Sequence, residues 1–321
     1  MAITPLQTTG TINTGTGAVA TKPAAFYDKL LLKVLRQREW EHLRFAQERP
    51  MPSKTGDTVN FRKIAKLAPA LTPLTEGVTP DGDTASISAI SATTKQYGKP
   101  MYFSDVVDFQ MVDPIVSEYT IEQGHQAKET LDILGREELN GGTQVMYAAS
   151  RVSRVTLAAG DKPTIDNFRK MRLTMKKNHV PTINGKYYVL ITPEVAYDLM
   201  DDPKFLKAYE IGQNNKPLIE GEIADIYGIK FIEVVNGKVF TGAGAAGVNV
   251  HSSIMLGKDA YGITKIKGEG DVKAIVKALG SAGTEDPLNQ RQSIAWKVNA
   301  FVVKRLMEEA IFRYESVPTN A

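Results

Sequence analysis

A long polar segment between two predicted strands constrains this chain more than any other feature. Residues 72–84 read TPLTEGVTPDGDT and contain two prolines, two glycines and three acids, with only Leu74 and Val78 as sizeable apolar side chains. The preceding strand is predicted at residues 58–64, where Val59 and Phe61 share one face. Loops of this length in compact domains are usually functional or disordered. Because this loop can bury almost nothing of its own, we expect it to contact another molecule.

The strand after the loop is predicted to extend from about residue 86 to residue 104. Its clearest alternation is at Tyr97, Lys99, Met101 and Phe103. Pro100 interrupts this pattern, and proline has no backbone N–H to donate to a strand ladder. The strand is therefore predicted to lie at a sheet edge or to be bulged at Pro100.

A helix of about 26 residues is predicted from Asp113-Pro114 to Leu139. An acid at the N-cap with proline in the first turn is typical of a helix start. One apolar face follows helical spacing through Val116, Tyr119, Gln123, Ala127, Leu131 and Leu134. Such a helix spans roughly 39 Å at 1.5 Å per residue, whereas helices in globular proteins average about 11–12 residues. We expect it to extend out of a compact body.

The N-terminal residues predict an arm followed by a helix. The first seventeen, MAITPLQTTGTINTGTG, are rich in Thr and Gly and are typical of an extended or mobile segment. An imperfect apolar stripe then predicts a helix from Phe26 to about Gln47, which the sequence Arg49-Pro50-Met51-Pro52 ends.

Helical and strand patterns alternate in the middle of the chain. The first is a helix capped by Thr164, with Ile165, Phe168, Met171 and Met175 on its apolar face. Residues 186–199 predict a strand that runs into a helix with Pro193 in its first turn. Residues 221–234 predict a helix that Gly228 ends and a strand that follows it, and residues 248–256 predict a further strand. This order predicts an α/β or α+β layer with helices against a sheet.

The C-terminal residues alternate between apolar and polar side chains in two stretches. The apolar positions are Ile294, Trp296, Val298, Ala300 and Val302 in the first stretch, and Ala310, Phe312 and Tyr314 in the second. A period of two predicts strands. We interpret the two as a hairpin or meander covered by the long helix.

The composition excludes several classes of function. The 321 residues include no cysteine, which excludes disulfides and thiolate metal sites. The net charge of +3 is too small to indicate nucleic-acid binding by itself, and no apolar run approaches the roughly 18 residues of a membrane span. The four histidines are scattered, and the glycine spacing of TGAGAAG at 241–247 precedes a strand rather than the helix of a dinucleotide site. We predict no catalytic residue, metal site or cofactor.

One predicted helix carries a basic outer side. Its cations are Arg169, Lys170, Arg172, Lys176 and Lys177. Amphipathic helices normally carry charge on a solvated face. The alternative is a surface that faces a polyanion or an acidic partner, and the sequence leaves both open.

The arm, the long loop and the long helix would each protrude from a compact body. Protruding strands expose unpaired edges that invite pairing with another chain. A subunit whose parts are completed by its neighbours accounts for all three.

Eight ordered blocks match a known family. They are LTPLTEGVTPDGD (71–83), TTKQYGK (93–99), VDPIVSE (112–118), AKETLD (127–132), YYVLITPEVAYDLMDDP (187–203), GEIADIYGIKFIE (221–233), LGKDAYG (256–262) and LGSAGTEDPLNQRQSIAWK (279–297). On these blocks the chain resembles the tailed-phage major capsid proteins of the Hong Kong 97 type. More narrowly, it resembles the family of the coliphage N-four capsid subunit.

The resemblance implies an α+β fold in four parts. These are an N-terminal arm and first helix at 1–53, an extended loop built as a β-hairpin at 54–104, a peripheral domain with a long spine helix at 105–180 plus 284–321, and an axial domain at 181–283. The polar segment would then be the tip of an arm laid over an adjacent subunit. Pro100 departs from the unbroken ladder expected in the returning strand of that arm.

The resemblance also implies a non-enzymatic function. The chain would assemble with itself into pentamers and hexamers that form an icosahedral shell around viral double-stranded DNA. The DNA would contact the inner face non-specifically, and scaffold, portal and decoration proteins are further expected partners, with no cofactor and no membrane. The protein would be found in the virion capsid after assembly in the host bacterial cytoplasm. An encapsulin-like compartment shell of the same fold is the alternative.

Eight residues are predicted to contact neighbouring subunits. They are Phe26 and Tyr27 at the end of the arm, Arg62 and Lys63 on the first hairpin strand, and Leu71, Leu74, Val78 and Asp81 on the loop tip.

Overall fold

The computed structural model describes residues 41–52, 56–65, 67–79, 82–110, 115–205, 225–266, 272–281 and 286–320. The strands in these ranges are β1 (Gln47–Met51), β2 (Thr58–Ile64), β3 (Ile87–Thr93), β4 (Lys95–Ser104), β5 (Val145–Tyr147), β6 (Tyr187–Ile191), β7 (Asp225–Ile226), β8 (Ile229–Glu233), β9 (Val239–Phe240), β10 (Val250–Leu256), β11 (Tyr261–Ile266), β12 (Lys273–Lys277), β13 (Arg291–Arg305) and β14 (Ile311–Ser316). The α-helices are α1 (Asp105–Gln110), α2 (Ile115–Asn140), α3 (Ile165–Lys177) and α4 (Pro193–Met200). The predicted N-terminal arm and residues 26–40 of the predicted first helix lie outside the described residues.

A seven-stranded sheet forms the core of the body. Its strands run in the order β5-β14-β10-β6-β8-β7, and β9 pairs with β10. Every residue of β10 and β14 is buried. Helix α3 packs on this sheet through Phe168, whose ring centroid lies 5.3 Å from that of Phe231 and 5.0 Å from that of Tyr314. The predicted alternation of helices and strands is confirmed as an α+β body.

Helix α3 confirms its predicted apolar face. Its four apolar residues, Ile165, Phe168, Met171 and Met175, are fully buried. Thr164 occupies the N-cap position, but its hydroxyl makes no capping bond. The carboxylate of Asp202 instead accepts a hydrogen bond of 2.9 Å from the backbone N–H of Ile165. The free N–H of the first turn is thus satisfied from a distant part of the chain.

A five-stranded sheet is built around the long strand β13, which pairs with β4, β11 and β12, while β1 pairs parallel with β11. Among the described strands, β4 pairs only with β13, so Pro100 lies in an edge strand as predicted. The expected unbroken hairpin ladder ends earlier, because β3 stops at Thr93 and β4 pairs with β13 instead of β2. Pro100 therefore lies outside the hairpin ladder.

The long helix α2 extends from Ile115 to Asn140 and covers β13 as predicted. The indole N–H of Trp296 donates a hydrogen bond of 2.9 Å to the side-chain oxygen of Gln126. Near its C-terminal end, α2 also packs against residues that precede β1. A Cβ on Gly135 would come within 2.5 Å of a Leu43 methyl group, so a larger residue there would force the Leu43 side chain to shift. The predicted start at Asp113-Pro114 lies outside the described residues.

Two predicted elements are wrong in the middle and early parts of the chain. Residues 225–228 do not end a helix, because β7 and β8 form a hairpin. Its turn residues Tyr227 and Gly228 have φ values of 53° and 70°, the left-handed conformations of a type I′ turn. The predicted first helix does not continue to Gln47, because residues 41–45 form turns and Gln47–Met51 forms β1.

The predicted C-terminal hairpin is also wrong, because β13 and β14 belong to different sheets. A short 3-10 helix, Glu308–Ala310, lies between them and turns the chain from one sheet to the other. The alternation predicted within β13 shifts at a bulge between Val298 and Phe301. Beyond the bulge Phe301 is buried and Val302 is not, because an extra residue reverses the faces of a strand.

Candidate subunit interface

The β2–β3 hairpin is the part of the described chain that shares least with the body. The two strands pair only with each other, from Thr58↔Thr93 to Ile64↔Ile87, and the Ala65 N–H extends the ladder to the Ser86 carbonyl at 3.0 Å. We call the connecting residues 65–86 the hairpin loop. A two-stranded hairpin is at best marginally stable in water when isolated, so its position depends on contacts at its base.

The base of the hairpin is anchored by Phe61, which is 3% exposed. Its ring lies over Gly262 of β11, where an added Cβ would approach the ring to 2.9 Å. The guanidinium of Arg49, a residue of β1, lies 5.4 Å from the centroid of the Phe61 ring. Ala92 is also buried. These contacts join the strands of the hairpin to the five-stranded sheet, whereas every described residue of the hairpin loop is exposed.

The rest of the hairpin exposes large apolar side chains. Leu71 is 85% exposed, Leu74 78% and Val78 64%. A turn closes the loop tip, where the Val78 N–H donates to the Thr75 carbonyl at 3.2 Å and Gly77 has a φ of 78°. Contiguous exposed apolar surface on a soluble protein usually marks an interaction site.

The structure places five of the eight predicted contact residues on this hairpin. Leu71, Leu74 and Val78 are each exposed on the hairpin loop. Arg62 is exposed on β2, whereas the Lys63 ammonium lies 3.5 Å from the Glu309 carboxylate of the same chain. Lys63, at the loop end of β2, therefore already has an acidic partner in its own chain. Phe26, Tyr27 and Asp81 lie outside the described residues.

Sequence reasoning missed three exposed apolar residues of the same hairpin, Ile64, Leu67 and Ile87. Ile64 and Ile87 face each other as the last strand pair before the loop. The signal was present, because Phe61 faces the body and an alternating strand then turns Ile64 to the solvent side. An apolar residue at a solvent-side position indicates a covered surface.

A groove of about 700 Å³ lies on the body of the subunit and is lined by aromatic rings and charged side chains. Phe45 and Tyr188 form its apolar wall, with ring centroids 4.4 Å apart. Its charged lining consists of the exposed cations Arg44, Lys230 and Lys258 together with the acids Glu233 and Asp259, so cations outnumber acids by one. Its chemistry complements the hairpin loop, whose apolar side chains are accompanied by the exposed acids Glu76 and Asp83.

Buried ionisable groups elsewhere in the body hold the fold together. Glu315 on β14 is fully buried and accepts two hydrogen bonds from Arg154, at 2.7 and 2.6 Å. These bonds raise the pKa of Arg154, while burial lowers the pKa of Arg313 even though Glu315 lies 2.9 Å away. The Arg154 guanidinium also lies 3.4 Å from the centroid of the Phe240 ring. The cluster joins β14 to the loops beside β5 and β9.

The four histidines do not form a site. His42 lies 2.6 Å from the Asp132 carboxylate in a fully buried pair that fastens the residues before β1 to α2. Burial lowers the pKa of His251, against the opposing charge of Glu194, and its ring lies 2.9 Å from the Thr192 hydroxyl. In the part of the chain that the structure describes, no cluster of histidines and acids could hold a metal ion. None of the helices described there is long and apolar enough to cross a membrane.

Comparisons with known proteins agree on one family. A family model described as phage capsid protein matches residues 87–314. The search of curated proteins found no match. Among solved structures, the capsid of Ralstonia phage GP4 is similar with a TM-score of 0.74 and 14% identity, over 93% of this chain and 96% of that one. The capsid of the cyanophage P-SCSP1u has a TM-score of 0.72 and 14% identity, over 92% and 93%.

An encapsulin complex from Synechococcus elongatus is also similar, with a TM-score of 0.53 and 10% identity, over 92% of this chain and 98% of that one. At such identities the structural matches show the fold alone. They confirm the predicted Hong Kong 97-type fold.

Proposed function

The chain belongs to the phage capsid protein family and is a structural subunit of a viral shell; we propose that it is the major capsid protein of a tailed phage, with no enzymatic activity. Its copies associate into pentamers and hexamers that close into an icosahedral shell. Head-to-tail interfaces that close by rotation give such rings. The family match over residues 87–314 is the observation that carries this conclusion.

The hairpin loop supports an assembly role in which neighbouring copies cover one another. Leu71, Leu74 and Val78 are more than half exposed in the single chain, and burying a leucine side chain contributes about 1.5–3 kcal/mol. Every described residue of the hairpin loop is exposed in the single chain. A neighbouring subunit supplies the missing burial, with Phe26, Tyr27, Arg62 and Asp81 as further contact residues.

The aromatic groove is the proposed receiving surface for the loop of a neighbour. Its cations Arg44, Lys230 and Lys258 would face the loop acids Glu76 and Asp83, while Phe45 and Tyr188 accept apolar side chains. Complementary charge at an interface mainly fixes register and raises association rate. The apolar contacts therefore carry most of the affinity.

The proposed domain division follows the sequence boundaries, with an arm and first helix at 1–53, an extended loop at 54–104, an axial domain at 181–283 and a peripheral domain from the remaining residues. Helix α2 and β13 pack together within the proposed peripheral domain. Strand β14 links the two domains, because it follows residue 284 and pairs with β10.

The narrower family and the further partners are also proposals. The eight sequence blocks favour the branch of the coliphage N-four capsid subunit. Packaged double-stranded DNA on the inner face, a scaffold, a portal and decoration proteins complete the proposed partner set. Assembly takes place in the host bacterial cytoplasm before the subunit becomes part of the virion capsid.

An encapsulin-like compartment is the second candidate, since an encapsulin shares the fold over most of both chains. A phage shell protects packaged DNA, whereas a cargo compartment holds protein. Nuclease treatment of particles purified from infected cells separates the two. Nuclease-resistant DNA is expected, and particles that contain only cargo protein would favour the compartment.

Electron microscopy and light scattering of the expressed full chain test the proposal directly. We expect closed particles with fivefold and sixfold capsomers, or isolated capsomers when scaffold is needed. A chain that stays monomeric at high concentration, with and without co-expressed phage proteins, would contradict the proposed assembly.

A further inference from the structure

One continuous stretch of the chain contains several cationic side chains and no acidic ones. Residues 167–193 contain six cationic side chains and no aspartate or glutamate, in a chain whose total net charge is only +3. The stretch includes most of α3 and continues to the end of β6. The rest of the chain is therefore net acidic, with a formal charge of −3.

Helix α3 carries three of these cations at solvent-exposed positions. Lys170, Lys176 and Lys177 are exposed, and within the described part of the chain they form no ion pair. The nearby carboxylate of Asp166 is already shared, because Lys204 and Arg169 both bind it. We call the surface formed by Lys170, Lys176 and Lys177 the basic face.

The basic face is held rigidly. The opposite side of α3 is fully buried in the body through Phe168 and its neighbours. Beside it, the Arg169 guanidinium lies 4.6 Å from the centroid of the Tyr227 ring in the β7–β8 turn. The Arg172 side chain packs against Gly228 of the same turn, where an added Cβ would come within 3.0 Å of it. The cations therefore occupy a fixed platform.

The spacing of the cations suits a phosphate backbone. Lys170 and Lys177 are seven residues apart, which corresponds to about 10.5 Å along the helix. Double-stranded DNA carries one charge per roughly 1.7 Å of its axis, so about six phosphates fall within that length. The face has one exposed apolar residue, Leu173, and therefore lacks the apolar centre expected of a protein interface.

We propose that the basic face of α3 is the surface through which this subunit contacts the phosphate backbone of double-stranded DNA. The inference rests on the proposed function, since the DNA is the genome inside the shell. Contacts to phosphate carry no sequence information and are strongly salt dependent. The contact orders the outermost DNA against the shell without selecting a sequence.

The test compares two triple variants of the full-length subunit that lose the same charge. The first is K170Q/K176Q/K177Q on the basic face, and the control is K95Q/K99Q/K277Q on exposed positions of β4 and β12. Binding of a short random-sequence double-stranded DNA is measured by fluorescence anisotropy over a series of salt concentrations. All six lysines are exposed, so thermal melting should confirm that both variants keep the wild-type fold.

We expect the basic-face variant to lose most of its DNA affinity at low salt. The slope of log affinity against log salt should become shallower by about 2.7, because each phosphate contact contributes about 0.9. The control variant should retain the wild-type slope. Equal losses in both variants, or an unchanged slope in the first, would overturn the inference.

A competition experiment separates DNA from an acidic protein partner. Poly-glutamate should displace the wild-type subunit less effectively than DNA of equal charge concentration, and a preference for poly-glutamate would overturn the proposal. Shell formation is scored separately for each variant. A wild-type chain that forms no shell would contradict the proposed function, whereas normal shells with unchanged DNA affinity in the basic-face variant would contradict only this inference.

Discussion

Two antiparallel strand pairs of similar length show opposite degrees of burial. In β10 and β14, six paired positions are all buried between α3 and the rest of the body. In β2 and β3, seven paired positions include only two buried residues, Phe61 and Ala92. The first pair is completed by its own chain, and the second is not.

We propose that the difference separates the parts of the sequence that specify the fold from those that specify assembly. Residues of β10 and β14 gain their stability within the subunit from apolar burial. The hairpin has the same backbone pairing but keeps Ile64 and Ile87 exposed. These exposed apolar side chains support the proposal that a neighbouring subunit covers the hairpin.

The largest expected effect is on shell formation and comes from substitutions in the exposed hairpin loop. Replacing Leu71 and Leu74 together by Asp should abolish shell formation, because each loop contact would lose about 3 kcal/mol or more of apolar burial. The free energy of unfolding of the single subunit should not change measurably, since both residues are exposed. Particle yield by electron microscopy and urea unfolding measure the two quantities. Normal shells, or an unstable subunit, would contradict this assignment.

Charge reversal tests whether the groove receives the loop. The variant K230E/K258E should assemble poorly, and so should E76K/D83K. When the two variants are mixed, or the changes combined in one chain, assembly should recover because the charges are again complementary. Failure of the combined variant to recover any particles would place the receiving surface elsewhere.

Substitutions around the buried strands β10 and β14 should instead change the stability of the single subunit. Phe168→Ala should lower the free energy of unfolding by about 3–5 kcal/mol, because it removes a fully buried ring between Phe231 and Tyr314. Leu173→Ala on the exposed side of the same helix is the matched control, with a change within about 0.5 kcal/mol. Chemical unfolding checks both. Similar costs at the two positions would mean that α3 does not pack as described.

A smaller effect on stability is expected where the hairpin contacts the body, at Phe61 and Gly262. Gly262→Val should cost about 1–3 kcal/mol, because the added side chain meets the Phe61 ring at the hairpin base. Combining it with Phe61→Leu should recover part of the loss, which a double-mutant cycle measures. Strict additivity of the two changes would show that the hairpin base does not rest on β11.

The smallest expected effect concerns pH and lies within the body. Burial lowers the pKa of His251, so the unfolded chain binds a proton there more readily than the folded chain. The contribution to stability is present above the ordinary histidine value of about 6.5 and is lost as the pH falls below it. His251→Asn should flatten urea unfolding midpoints between neutral and mildly acidic pH. An equally steep decline in the variant would assign the pH dependence to other groups.

Local patterns predicted the elements that depend on few distant contacts. The strand at Thr58–Ile64 was predicted with its bounds, and Pro100 correctly indicated an edge strand. The long helix and the buried face of α3 follow from helical spacing alone. The loop residues Leu71, Leu74 and Val78 are exposed in the structure, and their contact with a neighbouring subunit stays a prediction from the family resemblance.

Distant pairing explains what the sequence did not predict. Strand β1 contains Arg49 and Pro50 and is a strand because β11 lies beside it. Tyr227 adopts a positive φ that its residue type does not indicate, so the β7–β8 turn resembled a helix end. The groove unites Phe45, Tyr188 and Lys258 from three separate parts of the chain, and no local pattern brings them together.

Cryo-electron microscopy of the assembled shell tests the central claim most directly. The measured quantity is the exposed fraction of Leu71, Leu74 and Val78 in the particle, compared with 85%, 78% and 64% in the single chain. Burial of all three against another copy of the chain is the predicted result. Side chains that remain exposed in a closed shell, or that are covered by their own subunit, would contradict the account.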